Sequence, residues 1–200
     1  MNSVSQSGRS QALNLPNLLT YGRVAAVPVV CALLFWPHDD RARWPALFVF
    51  ILAGITDYLD GYLARAYAQQ STLGRMLDPI ADKLLVAACL LMLAANGTIV
   101  GWSLWAAIVI LCREILVSGL REYLAELKVG VPVSRVAKWK TSLQLVALGF
   151  LIAGPAGESI VPGTTLIGIV LLWVSAVLTI YTGWDYLKAG IDHMVRTDVS

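Results

Sequence analysis

Hydrophobic residues gather into six long runs along this chain, separated by short polar or turn-forming breaks. A helix needs about 20 largely apolar residues to cross a hydrocarbon core. The runs predict spans over Leu18–Trp36, Pro45–Ala64, Leu77–Ala95, Trp102–Leu120, Trp139–Ala153 and Thr164–Trp184. Pro37-His38-Asp39-Asp40, Asn96-Gly97, Gly154-Pro155-Ala156-Gly157 and Pro162-Gly163 supply turn chemistry between them. Trp36, Trp44, Trp102, Tyr181 and Trp184 sit near span ends, where an aromatic belt belongs. Ahead of the first run lies a polar, Ser-rich segment, of which Ser10–Asn17 reads as a short interfacial helix. No small-residue cleavage site precedes Trp36, so the first run is expected to stay in the protein. The organisation expected is a polar segment over 1–17, a six-helix domain over 18–186 and a tail over 187–200.

Composition supports a membrane protein of one domain. Of 200 residues, 58% are hydrophobic and only 14% charged, against roughly 25% charged in soluble domains. Cys31, Cys89 and Cys112 all fall inside apolar runs, which favours small buried hydrophobes over a disulfide or zinc site. The net charge of +2 matters less than its distribution. With the N-terminus inside, the outer loops hold only Arg41 and Arg43, and the other 13 of the 15 basic residues fall on the inner side. That asymmetry predicts both termini in the cytoplasm, here of a bacterial inner membrane. Membrane lipids are expected neighbours, and no nucleic-acid partner is expected.

The spans are not uniformly apolar. Asp57, Asp60, Asp78, Asp82, Lys83, Arg113, Glu114 and Lys140 lie within them or at their ends, all in the cytoplasmic half. An ionisable group in lipid costs at least about 2.5 kcal/mol, so such groups face a bundle interior or a wet cavity. The fold class predicted is an all-α bundle of six transmembrane helices with a polar cavity open to the cytoplasm.

Four carboxylates define that cavity. Asp57, Asp60, Gly61 and Ala64 share one helix face, and Gly74, Asp78 and Asp82 share another. If the two helices are antiparallel neighbours joined by a short loop, position 57 stands level with 82, and 61 with 78. Four ionised carboxylates so placed repel, so either some are protonated or cations neutralise them. Oxygen-only ligands select hard divalent ions such as Mg²⁺ or Mn²⁺, and a pair of these is a common device for in-line displacement at phosphorus. Small residues at Gly61, Ala64 and Gly74 let a bulky ligand approach. Read singly, an intramembrane aspartate is a structural hydrogen-bond partner and a glycine a packing position.

The pattern Asp57-x-x-Asp60-Gly61-x-x-Ala64-Arg65, eight residues, then Gly74-x-x-x-Asp78-x-x-x-Asp82 resembles the signature of the CDP-alcohol phosphotransferases, with every position filled. The resemblance implies a six-helix membrane enzyme, commonly homodimeric, that moves a substituted phosphoryl group from a CDP-linked donor to an alcohol and releases CMP. It further implies that Asp57, Asp60 and Asp78 hold two divalent ions. Asp82 completes the site and acts as base, while Gly61, Ala64, Arg65 and Gly74 receive the cytidine and pyrophosphate. Cys112 to Glu122, Asn17-Leu18-Leu19-Thr20 with Arg23, and Lys138-Trp139-Lys140-Thr141 resemble the phosphatidylglycerophosphate synthase branch. That branch implies CDP-diacylglycerol as donor and glycerol 3-phosphate as acceptor.

The remaining cations agree with an anionic acceptor. Arg113 and Arg121 lie near one helix face, Ser118 precedes Arg121 by a turn, and Lys138 and Lys140 open the next span at the same level. Together they form a basic pocket for a phosphate. The plainer reading of the lysines is topology or lipid-headgroup binding, and Glu114 and Glu122 read as ion-pair partners that orient the arginines. His38 and His193 fall outside the spans, and no Ser, Cys or His is placed as an activated nucleophile. Alternatives are the same reaction with inositol phosphate, phosphatidylglycerol, serine or glycerol as acceptor, or a divalent-cation transporter. Against transport, no charged residues continue the cluster outward.

Overall fold

The computed structural model of the chain describes residues 15–35, 40–67, 72–127 and 135–197. Six helices make up this part: α1 Leu15–Leu34, α2 Asp40–Tyr67, α3 Thr72–Ala95, α4 Ser103–Glu126, α5 Arg135–Glu158 and α6 Thr164–Thr197. The architecture is all-helical, as predicted. Stretches of α1, α4 and α6 (Asn17–Leu34, Ser103–Glu126 and Thr164–Lys188) are long and apolar enough to cross a membrane. The chain is an integral membrane protein. Helices α2, α3 and α5 carry Asp57, Asp60, Asp78, Asp82, Lys83 and Lys140, so their place in a bilayer depends on how these groups are partnered.

Several helices outrun the predicted spans. Helix α2 continues to Tyr67, α3 starts at Thr72, α4 continues to Glu126 and α6 to Thr197. The hydrocarbon core limits the apolar stretch and not the helix, which continues wherever its backbone bonds are satisfied. Of the predicted interfacial helix, residues 10–14 lie outside the described residues, and Leu15–Asn17 form the first turn of α1.

Packing divides the bundle into halves. Helix α1 lies against both α2 and α3, while α6 lies against both α5 and α4. The two halves meet mainly where α2 touches α5, with lesser contacts of α3 to α5 and α4. Among the described residues, α2 and α3 pack on α1 rather than extensively on each other. Helix α1 thus packs against both; the side chains at 60–75, where the direct α2–α3 pairing is expected, lie outside the described residues. Val30, Leu34, Phe50, Leu85, Leu93, Ile110, Leu148, Leu151 and Leu172 fill one continuous core across both halves. Gly168 brings α6 close to α5: a Cβ there would lie 2.8 Å from Leu151 Cγ and 3.1 Å from its backbone nitrogen.

A polar lock closes the end opposite the carboxylates. The turn predicted at Gly154-Pro155-Ala156-Gly157 is instead a kink within α5, with Gly154 at φ 42°, ψ −129°. Glycine tolerates this conformation, and Pro155 suits the first position of the helical turn that resumes. The break frees carbonyls, and Arg43 meets them: its Nη1 donates to Leu151 O at 3.4 Å and Ile152 O at 3.3 Å. Arg43 Nη2 donates to Thr98 Oγ1 at 2.9 Å, and the Thr98 hydroxyl donates to Asn96 Oδ1 at 2.7 Å. Asn96 Nδ2 reaches Leu34 O at 3.5 Å. One buried cation thus ties α1, α2, α5 and the α3–α4 turn together. Beyond the kink, Glu158 accepts the backbone N–H groups of Gly163 at 2.6 Å and Thr165 at 2.9 Å. These donors, Thr165 first, hold its carboxyl below the usual range and cap α6 at its start.

Replacing Arg43 by Met should leave the Leu151 and Ile152 carbonyls and Thr98 short of donors, at a cost of about 1–3 kcal/mol. Gly154→Ala should also destabilise, because a Cβ would stand 2.6 Å from Arg43 Nη1 at a positive φ. Since both act on one contact, the double variant should lose less than the two single losses combined. Thermal unfolding of the detergent-solubilised protein checks this, and strict additivity would refute the lock.

Candidate active site

The carboxylate end is organised around α1. Arg23, with 1% of its side chain exposed, reaches Asp57 of α2 at 2.5 Å, and the Asp57 side chain stays 46% exposed. Asp82 of α3 lies in the field of Asp57, Glu114, Lys83 and Arg23. Two of the four predicted carboxylates are thus gathered around a buried arginine from the helix between them. The side chains of Asp60, Arg65 and Asp78 lie outside the described residues, as do those at Gly61, Ala64 and Gly74. Their backbone belongs to α2 and α3. Among the described residues, no group of three or more His, Cys, Asp or Glu stands close enough to hold a metal. The donor chemistry of Asp57 and Asp82 is all carboxylate oxygen, and Asp57 is half open to solvent. Such a donor set fits a hard divalent cation.

Beside this end, at the seam between α3 and α4, lies a polar cavity of about 240 Å³. Arg113, Ser118 and Arg121, three of the residues expected in a phosphate pocket, all line it, together with Glu114 and Glu122. Lys83 and Pro79 complete the α3 side. Lys83 is the cation that sequence reasoning left unassigned, although it follows Asp82 directly. Lys140 does not line the cavity. It is buried behind it, ion-paired with Glu114. The side chain of Lys138 lies outside the described residues.

Helix α6 holds the arginines from behind. Arg113 Nε donates to Thr179 O at 3.0 Å and its Nη2 to Thr182 Oγ1 at 3.0 Å. Its Nη1 meets Glu114 at 3.2 Å, as the ion-pair reading of Glu114 expected. Thr182 donates in turn to Leu178 O at 2.9 Å. Gly183 leaves room for this side chain, since a Cβ there would stand 3.3 Å from Arg113 Cγ and Nε. Arg121 Nη2 donates to Tyr186 Oη at 2.9 Å, with its guanidinium carbon 5.4 Å from the ring centroid. Ser175, Thr179, Thr182 and Tyr186, all buried, follow one another at helical spacing along α6. This polar stripe is visible in an otherwise apolar run, and sequence reasoning missed it. The arginines also differ in what they have left. Arg113 gives Nε, Nη1 and Nη2 to protein acceptors, whereas among the described residues Arg121 is hydrogen-bonded to a neutral hydroxyl. That contact engages one nitrogen of a fork that carries five donors.

Comparison with known proteins adds an independent line. The family model for CDP-alcohol phosphatidyltransferase matches residues 13–181. A Rickettsia bellii (strain RML369-C) protein named CDP-diacylglycerol--glycerol-3-phosphate 3-phosphatidyltransferase is 48% identical over 176 residues, covering 88% of this chain and 94% of that protein. A protein of the same name from Pseudomonas fluorescens is 39% identical over 190 residues, covering 93% and 94%. An Arabidopsis thaliana protein, named CDP-diacylglycerol--glycerol-3-phosphate 3-phosphatidyltransferase 2, is 40% identical over 192 residues, covering 90% and 80%.

The charge cluster behind the cavity makes a directional prediction. Glu114 faces two cations, Lys140 and Arg113, so Glu114→Gln removes the counter-charge of both. Lys140→Met leaves Glu114 still paired with Arg113. Breaking a buried pair by removing one partner costs about 3–5 kcal/mol, and Glu114→Gln should carry the larger loss. Melting temperatures of the two purified variants decide it; the opposite order would show that Glu114 does not organise the cluster.

Proposed function

The chain belongs to the CDP-alcohol phosphatidyltransferase family, and on that premise we propose that it transfers the phosphatidyl group of CDP-diacylglycerol to glycerol 3-phosphate. The products are phosphatidylglycerophosphate and CMP, and the chain is a transferase of phospholipid biosynthesis. The observation that carries this reading is 48% identity over 88% of the chain to a relative bearing that name. The complete aspartate signature from Asp57 to Asp82 accompanies it.

All six helices cross a bacterial inner membrane in this reading, with both termini and the polar cavity on the cytoplasmic side, and two copies associate. Asp57, Asp60, Asp78 and Asp82 hold two divalent ions, Mg²⁺ or Mn²⁺. Bound there, the ions supply charge neutralisation at the donor's pyrophosphate. Gly61, Ala64, Arg65 and Gly74 form the wall for the CDP moiety, where Arg65 pairs with phosphate. Arg121, steered by Tyr186 and aided by Arg113 and Ser118, binds the phosphate of glycerol 3-phosphate. Lys138 and Lys140 raise the positive potential around it, Lys140 from its buried pair with Glu114. The acceptor's primary hydroxyl is then directed at the phosphorus that bears diacylglycerol. Its oxygen forms the new P–O bond, its proton passes to Asp82, and the bond to CMP breaks. No covalent enzyme intermediate is required.

Asp57→Asn and Asp78→Asn should each abolish CMP release and divalent-ion binding while the protein remains in membranes. Near-normal turnover in both would refute the carboxylate site. A second experiment separates the two substrates. Losing a charge-assisted contact to phosphate costs about 1.5–3 kcal/mol, roughly ten- to a hundredfold in the Michaelis constant. Arg121→Ala should therefore weaken saturation by glycerol 3-phosphate and spare that by CDP-diacylglycerol, with Arg65→Ala doing the reverse. Paired saturation curves read this out. An Arg121 defect confined to the donor curve would reverse the assignment of the cavity.

A further inference from the structure

The halves of the bundle meet at a second seam, between α2 and α5, and there the surface opens into an apolar groove of about 620 Å³. Its floor includes buried Phe50 and Ala153, and its rims include exposed Ile55, Leu59 and Val146. Trp44 marks the far end and Leu59 the near one, 15 residues apart on one helix. At about 1.5 Å rise per residue the groove is roughly 22 Å long. Its length and its apolar lining suit a hydrocarbon chain. The length exceeds one leaflet, about half of a 30 Å hydrocarbon core.

Two glycines keep the groove open. Gly54 on α2 and Gly149 on α5 both line it. A Cβ at Gly54 would meet nothing within 4 Å, and one at Gly149 would meet only Leu47 Cδ1 at 3.8 Å. Neither glycine is demanded by a positive φ or by close helix contact, so their effect is to leave space open toward lipid. Leu59 lies between Asp57 and Asp60 in sequence, so the near end reaches the level of the carboxylates on the next face of α2.

We infer that this groove seats one acyl chain of the lipid donor, entering sideways from the bilayer, and that Gly54 and Gly149 set how far the chain can run. The inference rests on the function proposed above, because it needs a donor whose reactive phosphate and acyl chain must be held together. The groove aligns the diacylglycerol end of the donor along α2 while its headgroup turns onto the carboxylate face.

The test uses Gly54→Leu and Gly149→Leu, which add bulk in open space and raise helix propensity. Purified variants are assayed for CMP release with dioctanoyl and dipalmitoyl CDP-diacylglycerol, with glycerol 3-phosphate saturating. Gly54→Leu should lower kcat/KM for the dipalmitoyl donor by about tenfold, the effect of withdrawing roughly two methylene groups from apolar contact. The dioctanoyl donor should be used within about twofold of wild type. Gly149→Leu, farther along the groove, should discriminate in the same direction and more weakly. Unchanged chain preference in both variants would overturn the inference, as would equal loss on both donors. Loss of self-association on size-exclusion chromatography with unchanged chain preference would overturn it too, assigning the groove to a second copy. A wild-type protein inactive on either donor would instead overturn the functional reading, and this inference with it.

Discussion

A charged side chain inside an apolar bundle must be met by a partner, and the packing of this protein follows from where those partners stand. Leu and Ile fill the interior, but apolar surface gives helices little reason to associate once lipid surrounds them. Polar contacts supply the specificity. Arg23 joins α1 to α2 through Asp57, and Glu114 and Lys140 join α4 to α5. Arg113 joins α4 to α6, and Arg43 joins α2 to α5 and the α3–α4 turn. Each cross-link satisfies a group that would otherwise cost several kcal/mol to bury. Each also fixes the relative position of two helices that hydrophobic packing alone would leave free to slide.

The two halves that result explain why polar and apolar spaces lie apart. The α3–α4 seam holds the charged cavity, and the α2–α5 seam holds the groove whose lining is almost wholly apolar. An amphipathic substrate needs both environments within one molecule's length, with the reacting centre between them. A single central cavity would force an acyl chain against unscreened charge, or leave carboxylates facing hydrocarbon. Placing the two at different seams avoids either cost.

Much of this was legible in the sequence because helical periodicity and the penalty for burying charge act locally. The spacing of Asp57, Asp60, Gly61 and Ala64 puts them on one face of a helix that the structure does form, and Arg113, Ser118 and Arg121 reach one cavity as their spacing foretold. Other features depend on partners distant along the chain. Lys140 reads as a cavity cation until Glu114, 26 residues away, is seen to absorb it. The Gly154-Pro155 pair reads as a turn until Arg43, more than a hundred residues earlier, supplies donors for the carbonyls of a kink. The packing of α1 against both α2 and α3 is likewise a matter of distant partners. A loop's length limits the distance between its ends without naming the third helix that joins them.

The arginines show how one residue type serves opposite ends in different ways. Arg43 faces two carbonyls and a hydroxyl, with Asp40 3.7 Å from its Nε, so all three of its nitrogens are turned to the protein. It behaves as a rivet. Arg113 is almost as fully engaged, with a carbonyl, a hydroxyl and a carboxylate around it, and Glu114 offsets part of its charge. Arg121 is held differently: Tyr186 orients it through one hydroxyl and one ring face. Neither contact neutralises a positive charge, and neither occupies more than a fraction of the fork that suits phosphate. A carboxylate at position 186 would orient the guanidinium as well, but would compete with a bound anion. A tyrosine gives position without competition, which suits the phosphate-binding role proposed for Arg121.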